Sequence, residues 1–503
     1  MMRKYLNLLV GVEFCDALMS RLSFQQNWKA VSPAFYLVGR IAELNARNNG
    51  EAVEFFSGTI ATIFQPYTGG VYSQFLSDME GLKILDIDHR YKATPNKNGH
   101  CKKYKVTDYG CRLVHSANMA YLKALKDDPA LRRQNQRSIS KRKVMSKTLK
   151  NPVLAYVHDG LKHLSFDYGA LERTFTKSAW SDAQKTNVSG TLRTIAEKTF
   201  KEPEFTAGDG RIHHEVVRLK SDTRFLLRYK GMPYKAALDI RCCHPTFFSA
   251  YLRHHPITLH YVTHKGDMLA ALEHEHKKWL ALFCDPAEDP KEVVRKACRF
   301  TDDTTAKAAM NQSLNGSKRY PKYLAWLKRE FPTLYEIWQQ TDVADTGNAI
   351  ARTFEHELVL HTGLCERAEA MGVKILSEHD GIGVFATDDG LALQSKLDSL
   401  ASYIKSYSAE RFGIPIVVKT KLAFDWASAD LLTEMEHKLD ELGKDYGKLK
   451  PCVNRAQRLY FSANRDTRHG QAYAEARKKE HQLLLRYKDV IEYWAARERH
   501  ELC

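Results

Sequence analysis

Two short strand-like segments stand in a chain whose residues from about 151 onward have mainly helical periodicity. The first, residues 236–240, is apolar except for Asp239 near its end. The second, residues 374–385, has two alternating apolar stretches around a His-Asp-Gly turn and predicts a β-hairpin with Asp380 at its tip. A few short strands among many helices predict a small antiparallel sheet in a mostly helical α+β protein.

The two aspartates are candidates for one metal site. A carboxylate at the end of a buried strand is costly unless it is paired or binds a cation. Separately, each has an ordinary explanation, because Asp239 can cap the helix that follows it and Asp-Gly is a preferred turn. Together on neighbouring strands, Asp239 and Asp380 would repel each other unless divalent cations hold both ionised. Mg²⁺ suits such a pair, and two such ions support phosphoryl transfer.

A third segment, residues 304–316, lies between the first two. Lys307, Asn311 and Asn315 follow an i, i+4, i+8 spacing and share one face of a predicted helix. A lysine on that face can neutralise a triphosphate, and the amides can contact sugar or base. The alternative is an ordinary solvated polar face.

Other acidic and histidine residues are weaker candidates for the site or for metal binding. Glu355 and Glu357, on the helix that leads to the Asp380 hairpin, are candidates either to face the site or to form surface ion pairs. The sequence His274-Glu275-His276 lacks the H-E-x-x-H spacing that places two histidines on one helical face, which argues against zinc.

The charge balance favours a polyanionic partner. Lys and Arg number 76 against 60 Asp and Glu, which gives a formal net charge of +16. Nucleic acid is the simplest such partner, with a solvated basic surface as the alternative. Ten cysteines without a C-x-x-C pair are typical of a reducing compartment, so we expect a cytoplasmic protein. No apolar run approaches the roughly 18 residues of a membrane span, so no membrane partner is expected.

Residues 31–115 have the pattern of a winged helix-turn-helix. Helices are predicted after Ser32-Pro33, over 51–64 and over 71–79, followed by strands at 84–88 and 102–106. In such a fold the third helix can enter the major groove of DNA while the hairpin touches phosphates. A winged helix used for protein contacts and a small helical cap are the alternatives.

The remaining boundaries follow from composition. Residues 131–150 contain eight basic residues and no acidic one, which is typical of an exposed connector or of a segment lying along phosphates. The predicted units are a helical segment over 1–30, the winged-helix module over 31–115, a basic linker over 116–150, a core over 151–430 and a helical region over 431–503.

The order of these segments resembles that of family A DNA polymerases and the single-subunit phage RNA polymerases. Both have a strand-end Asp (motif A), a helix with Lys and a terminal aromatic-Gly (motif B) and a His-Asp hairpin (motif C). Here Lys307 precedes Asn315-Gly316 by eight and nine residues, as in motif B, although Asn replaces the Tyr. Gly210-Arg211 is similar to a Gly-Arg segment that precedes motif A. The resemblance covers about residues 205–390.

The resemblance implies a right-hand polymerase with an antiparallel palm and two Mg²⁺ ions, for which Mn²⁺ is an alternative. Its implied site residues are Asp239 and Asp380 as metal ligands, Lys307 at the nucleotide phosphates, Asn315 with Asn311 at sugar and base, His379 at the primer terminus and Arg211 at nucleic acid or nucleotide. Asp303 stands where motif B usually has Arg, which makes Arg295 or Arg299 a candidate substitute. His244 stands where the DNA polymerases have Glu and the RNA polymerases a small residue. Its bulk favours deoxynucleotides slightly.

The sequence therefore predicts a template-directed nucleotidyltransferase of the DNA polymerase type, with primer synthesis left open and phage or plasmid replication as its setting. Its expected partners are a template, a primer and nucleoside triphosphates. A single-subunit RNA polymerase, a metal-dependent nuclease and a non-enzymatic DNA-binding initiator or regulator are the alternatives.

Overall fold

A computed structural model describes residues 10–48, 50–68, 71–89, 101–143, 151–178, 180–200, 202–219, 221–258, 267–378, 380–424, 429–462, 467–491 and 493. Over these ranges the chain is mostly helical and has two small antiparallel sheets, which confirms the predicted α+β class. Within the same ranges, none of the helices has both the length and the apolar character needed to cross a lipid bilayer.

The elements are numbered in chain order. The helices are α1 Val12–Met19, α2 Leu22–Gln26, α3 Val31–Arg47, α4 Ser57–Thr68, α5 Ser73–Gly81, α6 Asp108–Asp127, α7 Pro129–Lys143, α8 Pro152–His163, α9 Tyr168–Lys177, α10 Asp182–Glu197, α11 Glu215–Arg218, α12 Cys243–His254, α13 Asp267–Cys284, α14 Pro290–Cys298, α15 Asp303–Leu314, α16 Pro321–Glu330, α17 Pro332–Gln339, α18 Thr346–Ile350, α19 His356–Val359, α20 Thr362–Ala370, α21 Gly390–Phe412, α22 Ala429–Ser462 and α23 Thr467–Arg486. Two 3₁₀ segments, Trp28–Ala30 and Ser221–Leu226, and a π-helix, Ala351–Glu355, complete them. The strands are β1 Val53–Phe56, β2 Leu85–Asp88, β3 Cys101–Val106, β4 Leu164–Phe166, β5 Leu227–Tyr229, β6 Met232–Ile240, β7 Lys374–Ser377, β8 Gly381–Phe385 and β9 Val418–Leu422.

The N-terminal helices pack around one core that is closed by an antiparallel sheet of order β1-β3-β2. The two predicted hairpin strands are present as β2 and β3. The prediction of one helix over 51–64 is wrong, because β1 occupies Val53–Phe56 and α4 begins only at Ser57. Pairing with β3 outweighs the local helical periodicity of this apolar stretch.

Where the structure describes it, the segment predicted as a linker forms two helices separated at Asp128. Residues 116–127 belong to α6, which packs against α10. The basic residues that follow form α7, whose first turn is capped because Asp128 accepts a hydrogen bond from the Ala130 amide at 2.7 Å. Arg, Lys and Gln are good helix formers, so like-charge repulsion does not prevent a helix here. Residues 144–150 lie outside the described residues.

A six-stranded antiparallel sheet carries the two aspartates predicted to form a site. Strand β6 is central, with β8 along one edge and with β5 and β9 along the other. The predicted hairpin over 374–385 is present as β7 and β8. Along β6, Ala236 and Leu238 are buried in the main hydrophobic core, and the alternation of a strand puts Asp239 on the opposite face.

The turn between β6 and α12 is held rigidly by Arg241. Its guanidinium is buried and donates to the carbonyl oxygens of Phe283 at 2.9 Å, Asp285 at 2.6 Å and Glu288 at 2.6 Å. These hydrogen bonds fix the end of the strand that carries Asp239 to the end of α13.

Within the described residues, the predicted C-terminal helical region forms α22 and α23. Helices α22 and α23 run antiparallel, as shown by Lys438 Nζ at 3.0 Å from Asp489 Oδ2 and by Tyr446 donating to Glu480 Oε1 at 3.1 Å.

Candidate active site

Strands β6 and β8 bring Asp239 and Asp380 to the same end of the sheet. Asp239 lies opposite Gly381 in the register, and the amide of Ile240 donates to the carbonyl oxygen of Asp380 at 2.9 Å. A Cβ at position 381 would collide with the carbonyl oxygen of Leu238 and lie 2.7 Å from Asp239 Oδ1. The glycine of the His-Asp-Gly turn is therefore needed for the close approach of the two strands.

The charges around this pair favour a cation. Burial raises the pKa of the Asp380 carboxyl, and the negative charges of Asp239 and Glu355 raise it further. Asp239 forms an ion pair with Lys421 of β9. Neighbouring carboxylates stay ionised together only when a positive charge offsets their repulsion. At Asp239 that charge is a lysine ammonium group.

Glu355 is the third acidic residue of the site, and it is fully buried. Arg211 donates to both of its carboxylate oxygens, at 2.6 Å and 2.7 Å, and His244 Nε2 lies 3.1 Å from Oε2. Burial alone would raise the pKa of Glu355, but hydrogen bonds from His244 and Arg211 more than offset it and lower the pKa to about 2. The negative charge of Glu355 is therefore already compensated by the guanidinium of Arg211.

Of the two glutamates considered from the sequence, only Glu355 faces the site. The π-helix ends at Glu355, and such one-turn π segments often occur at functional sites. Glu357 points elsewhere, accepting hydrogen bonds from Tyr407 at 3.0 Å and Arg411 at 3.0 Å in a partly exposed ion pair.

A second buried carboxylate, Glu378, lies at the end of β7. It accepts a hydrogen bond from Tyr234 at 2.7 Å and forms an ion pair with Arg224. Burial is the largest of the effects that raise its pKa to about 7, while the charge of Arg224 opposes them. A Cβ at Gly383, which lies opposite Ala237 of β6, would collide with the Glu378 carboxylate, so Glu378 lies over β8 near the aspartate pair. The negative charge of Asp239 also raises the pKa of Glu378.

The predicted nucleotide-binding helix is present as α15. Its N-terminus is capped by Asp302, which accepts from the Thr305 amide at 2.7 Å. Lys307 is exposed and makes no ion pair with any described residue. Asn315 donates to the Asn311 carbonyl at 3.1 Å and packs so tightly against Gly347 that a Cβ there would lie 2.7 Å from Asn315 Cγ. The end of α15 is thus fixed beside α18, which leads into the Glu355 segment.

The structure brings together Asp239, Asp380, Arg211 and His244, but it shows no contact of Lys307, Asn311, Asn315 or Arg299 with the aspartates among the described residues. Arg295 pairs with Asp303 at 2.9 Å, and Arg299 is exposed at the end of α14. His379 lies outside the described residues.

Comparison with known proteins adds nothing to this geometry. No protein-family model matches this chain, and no curated protein matches its sequence. A functional assignment therefore depends on the chemistry of the site itself.

The donor set fits a hard cation that is shared with a substrate. Among the residues that the structure describes, no group of three or more His, Cys, Asp or Glu side chains could hold a metal by itself. Mg²⁺, however, is usually bound by one or two carboxylates together with substrate phosphates. Asp239 and Asp380 provide two carboxylates, and Asp239 is paired with one positive charge, the ammonium of Lys421.

Sequence reasoning missed three residues of this site: Glu378, Arg224 and Lys421. A signal existed for Glu378, since an acidic residue at the end of a wholly buried strand requires a partner. For Lys421 the signal was weaker: Lys419 and Lys421 alternate as in a strand, but this alternation does not identify the strand with which they pair.

Proposed function

We propose that this protein is a template-directed nucleotidyltransferase of the DNA polymerase type. One observation carries the proposal: Asp239 and Asp380, separated by more than a hundred residues, lie on neighbouring strands with their charges close enough to raise the pKa of Asp380. Paired carboxylates of this kind are what metal-assisted phosphoryl transfer requires of a protein.

In this reaction a 3′-hydroxyl attacks the α-phosphate of a nucleoside triphosphate, and pyrophosphate leaves. Asp239 and Asp380 would hold the Mg²⁺ ions, which supply activation of the hydroxyl and neutralisation of the phosphate charge. Lys307, exposed and without an ion pair to the described residues, is available to bind the phosphates of the nucleotide.

Arg211 and His244 contribute to the site through Glu355. Arg211 donates to both oxygens of Glu355, and its Nη2 also lies 2.8 Å from His244 Nε2, so this guanidinium links the two residues and offsets the buried charge. His244 Nε2 lies 3.1 Å from the same carboxylate, and in the proposed complex its ring would restrict the space for a bound sugar.

The N-terminal unit supports a winged-helix fold but gives less support to DNA binding through its third helix. The element order α3-β1-α4-α5-β2-β3 and the sheet order β1-β3-β2 suit such a fold. Helix α5, however, carries Asp78 and Glu80 and no basic residue, whereas the electrostatic attraction to phosphates comes mainly from Lys and Arg. On β3, Lys103 lies opposite both Glu54 and Asp88, which balances its charge. We therefore assign nucleic-acid binding to other surfaces.

Primer extension tests the proposal. The full chain is incubated with a labelled primer on a template, Mg²⁺ and either deoxynucleoside or ribonucleoside triphosphates. We expect Asp239→Asn and Asp380→Asn each to reduce extension by at least about 100-fold while DNA binding persists. Asp389→Asn is the matched control, because Asp389 is an exposed aspartate just beyond β8 that pairs with Lys235.

The products separate the alternatives. Extension with deoxynucleotides supports the proposal, and extension with ribonucleotides alone indicates an RNA polymerase. Shortening of the primer indicates a nuclease, and a mobility shift without turnover indicates a DNA-binding regulator. Undiminished extension by either aspartate variant would contradict the assignment of the site.

A further inference from the structure

Strand β9 places two lysines on the face of the sheet that carries Asp239. In the antiparallel register Lys419 lies directly opposite Asp239, and Lys421 lies opposite Ala237. Residues directly opposite each other project to the same face of a sheet, and so do residues two apart on one strand. Both lysines therefore share a face with the catalytic carboxylate.

The two lysines differ in their pairing. Lys421 forms an ion pair with Asp239, whose side chain is 20% exposed while that of Lys421 is 62% exposed. Lys419 is exposed and makes no ion pair with any described residue. Of the two ammonium groups at this edge of the site, only that of Lys421 forms an ion pair with a described residue.

Another cation can replace Lys421 in its ion pair with Asp239. A mostly exposed lysine is held weakly, because water screens the attraction and the long side chain loses conformational freedom. A divalent cation at Asp239 would bind the same carboxylate oxygens with twice the charge. Lys421, displaced, would then stand beside Lys419 without its ion pair to Asp239, and two adjacent ammonium groups attract phosphate.

We propose that Lys421 is the resting counter-ion of Asp239 and that, once a divalent cation replaces it, Lys421 and Lys419 together bind phosphate groups of the substrate. The inference rests on the proposed function for the identity of the substrate. The phosphates belong either to the nucleic-acid strand or to the nucleoside triphosphate, and the shared chemistry is that of a phosphate anion.

The exchange of cations is tested without any turnover. Binding of Mn²⁺ to the full chain is measured from the electron paramagnetic resonance signal of the free ion, with Asp239→Asn used to identify the site. Removing the competing ammonium by Lys421→Gln should tighten Mn²⁺ binding about twofold to fivefold. Lys421→Arg keeps the charge and should bind Mn²⁺ as the unmodified protein does.

Lys235→Gln is the matched control, because Lys235 lies on β6 itself but pairs with Asp389. This variant should leave the affinity for Mn²⁺ unchanged. Unchanged or weaker Mn²⁺ binding by Lys421→Gln would overturn the proposal, since a lysine that merely positions Asp239 would aid the cation rather than compete with it.

Phosphate binding is tested with two probes in the presence of Ca²⁺. One is a fluorescein-labelled primer–template DNA duplex, and the other is a non-hydrolysable deoxynucleoside triphosphate. The double variant Lys419→Gln/Lys421→Gln should weaken the binding of one probe by about tenfold, and the probe that is affected identifies the source of the phosphate. If neither probe is affected, the phosphate-binding role is overturned.

Failure of the cation exchange can be distinguished from failure of the proposed function. If primer extension is absent but Lys421→Gln still tightens Mn²⁺ binding, the cation exchange stands and the polymerase assignment fails. If extension is present and the Mn²⁺ affinity does not change, the polymerase assignment stands and the exchange fails.

Discussion

Two glutamates of one helical segment show how burial decides what a charge does. Glu355 is fully buried, with Arg211 on both carboxylate oxygens, whereas Glu357 lies at the surface beside Arg411. A buried ion pair that loses one partner leaves an uncompensated charge inside the protein, while an exposed pair loses little.

Glu355→Gln should therefore destabilise the protein by about 3–5 kcal/mol. Glu357→Gln, two residues away, should cost less than about 1 kcal/mol. Urea unfolding followed by tryptophan fluorescence measures both. Equal losses in the two variants would contradict a structural role for the Glu355–Arg211 pair.

The same substitution has a signature in the pH dependence of stability. The pKa of Glu355 is lowered from 4.5 to about 2, so its ionised form stabilises the folded state above pH 4.5. That contribution is lost as the pH falls from about 4.5 towards 2, because the unfolded chain takes up the proton first. The Glu355→Gln variant should show a flatter decline in stability over this window.

At this scale the sequence predicts the residues with chemistry of their own but not their partners. Asp239 was identifiable as the single acid of an apolar strand segment, and Asp380 as the aspartate of a His-Asp-Gly turn between two apolar stretches. Lys421 and Arg224 were not, since their roles depend on a strand register and an ion pair that join positions more than a hundred residues apart. Local periodicity contains no information about such pairings.

At the level of secondary-structure elements, the site forms only because strands β6 and β8 lie very close to each other. The register places Asp239 against Gly381, where any side chain would meet the backbone of β6. The hairpin β7–β8 was predictable from its alternation and its Asp-Gly turn, but its position beside β6 was not. The error over residues 51–64 has the same origin, because β1 exists through its pairing with β3.

Gly381→Ala should separate the strands at the site. A Cβ that collides with the Leu238 carbonyl cannot be accommodated by a side-chain rotation, so we expect a loss of about 1–3 kcal/mol. Extension activity should fall together with stability. The control is Gly447→Ala in α22, where a Cβ meets nothing within 4 Å and alanine should stabilise the helix by about 0.5–1 kcal/mol. Full activity in Gly381→Ala would contradict the need for close approach.

Over the whole molecule, the excess of positive charge is unevenly distributed. Helix α5 has acidic residues and no basic ones, whereas α7 has basic residues and no acidic ones. One side of α7 is docked on the protein, with Leu131 buried and Asn135 donating to the Ala196 carbonyl at 3.0 Å. Its exposed residues Arg133 and Arg137 make no ion pair with any described residue.

An ordered helix with unpaired arginines suits phosphate binding better than the exposed connector that the composition predicted. Arg133 and Arg137 lie four residues apart and therefore on one face of α7. The backbone that carries these arginines is already ordered, so binding a strand of nucleic acid costs only the conformational freedom of their side chains.

The double variant Arg133→Gln/Arg137→Gln should reduce the salt dependence of DNA binding. Each phosphate contact contributes about 0.9 to the slope of log K against log salt concentration, so two lost contacts should lower its magnitude by about 1.8. Fluorescence anisotropy of a labelled duplex, titrated at several salt concentrations, measures this slope. Arg329→Gln is the control, because Arg329 is also exposed but pairs with Glu330 at 3.0 Å. A slope that changes equally in both variants would show that α7 is not a specific contact surface, because a general loss of positive charge would then suffice.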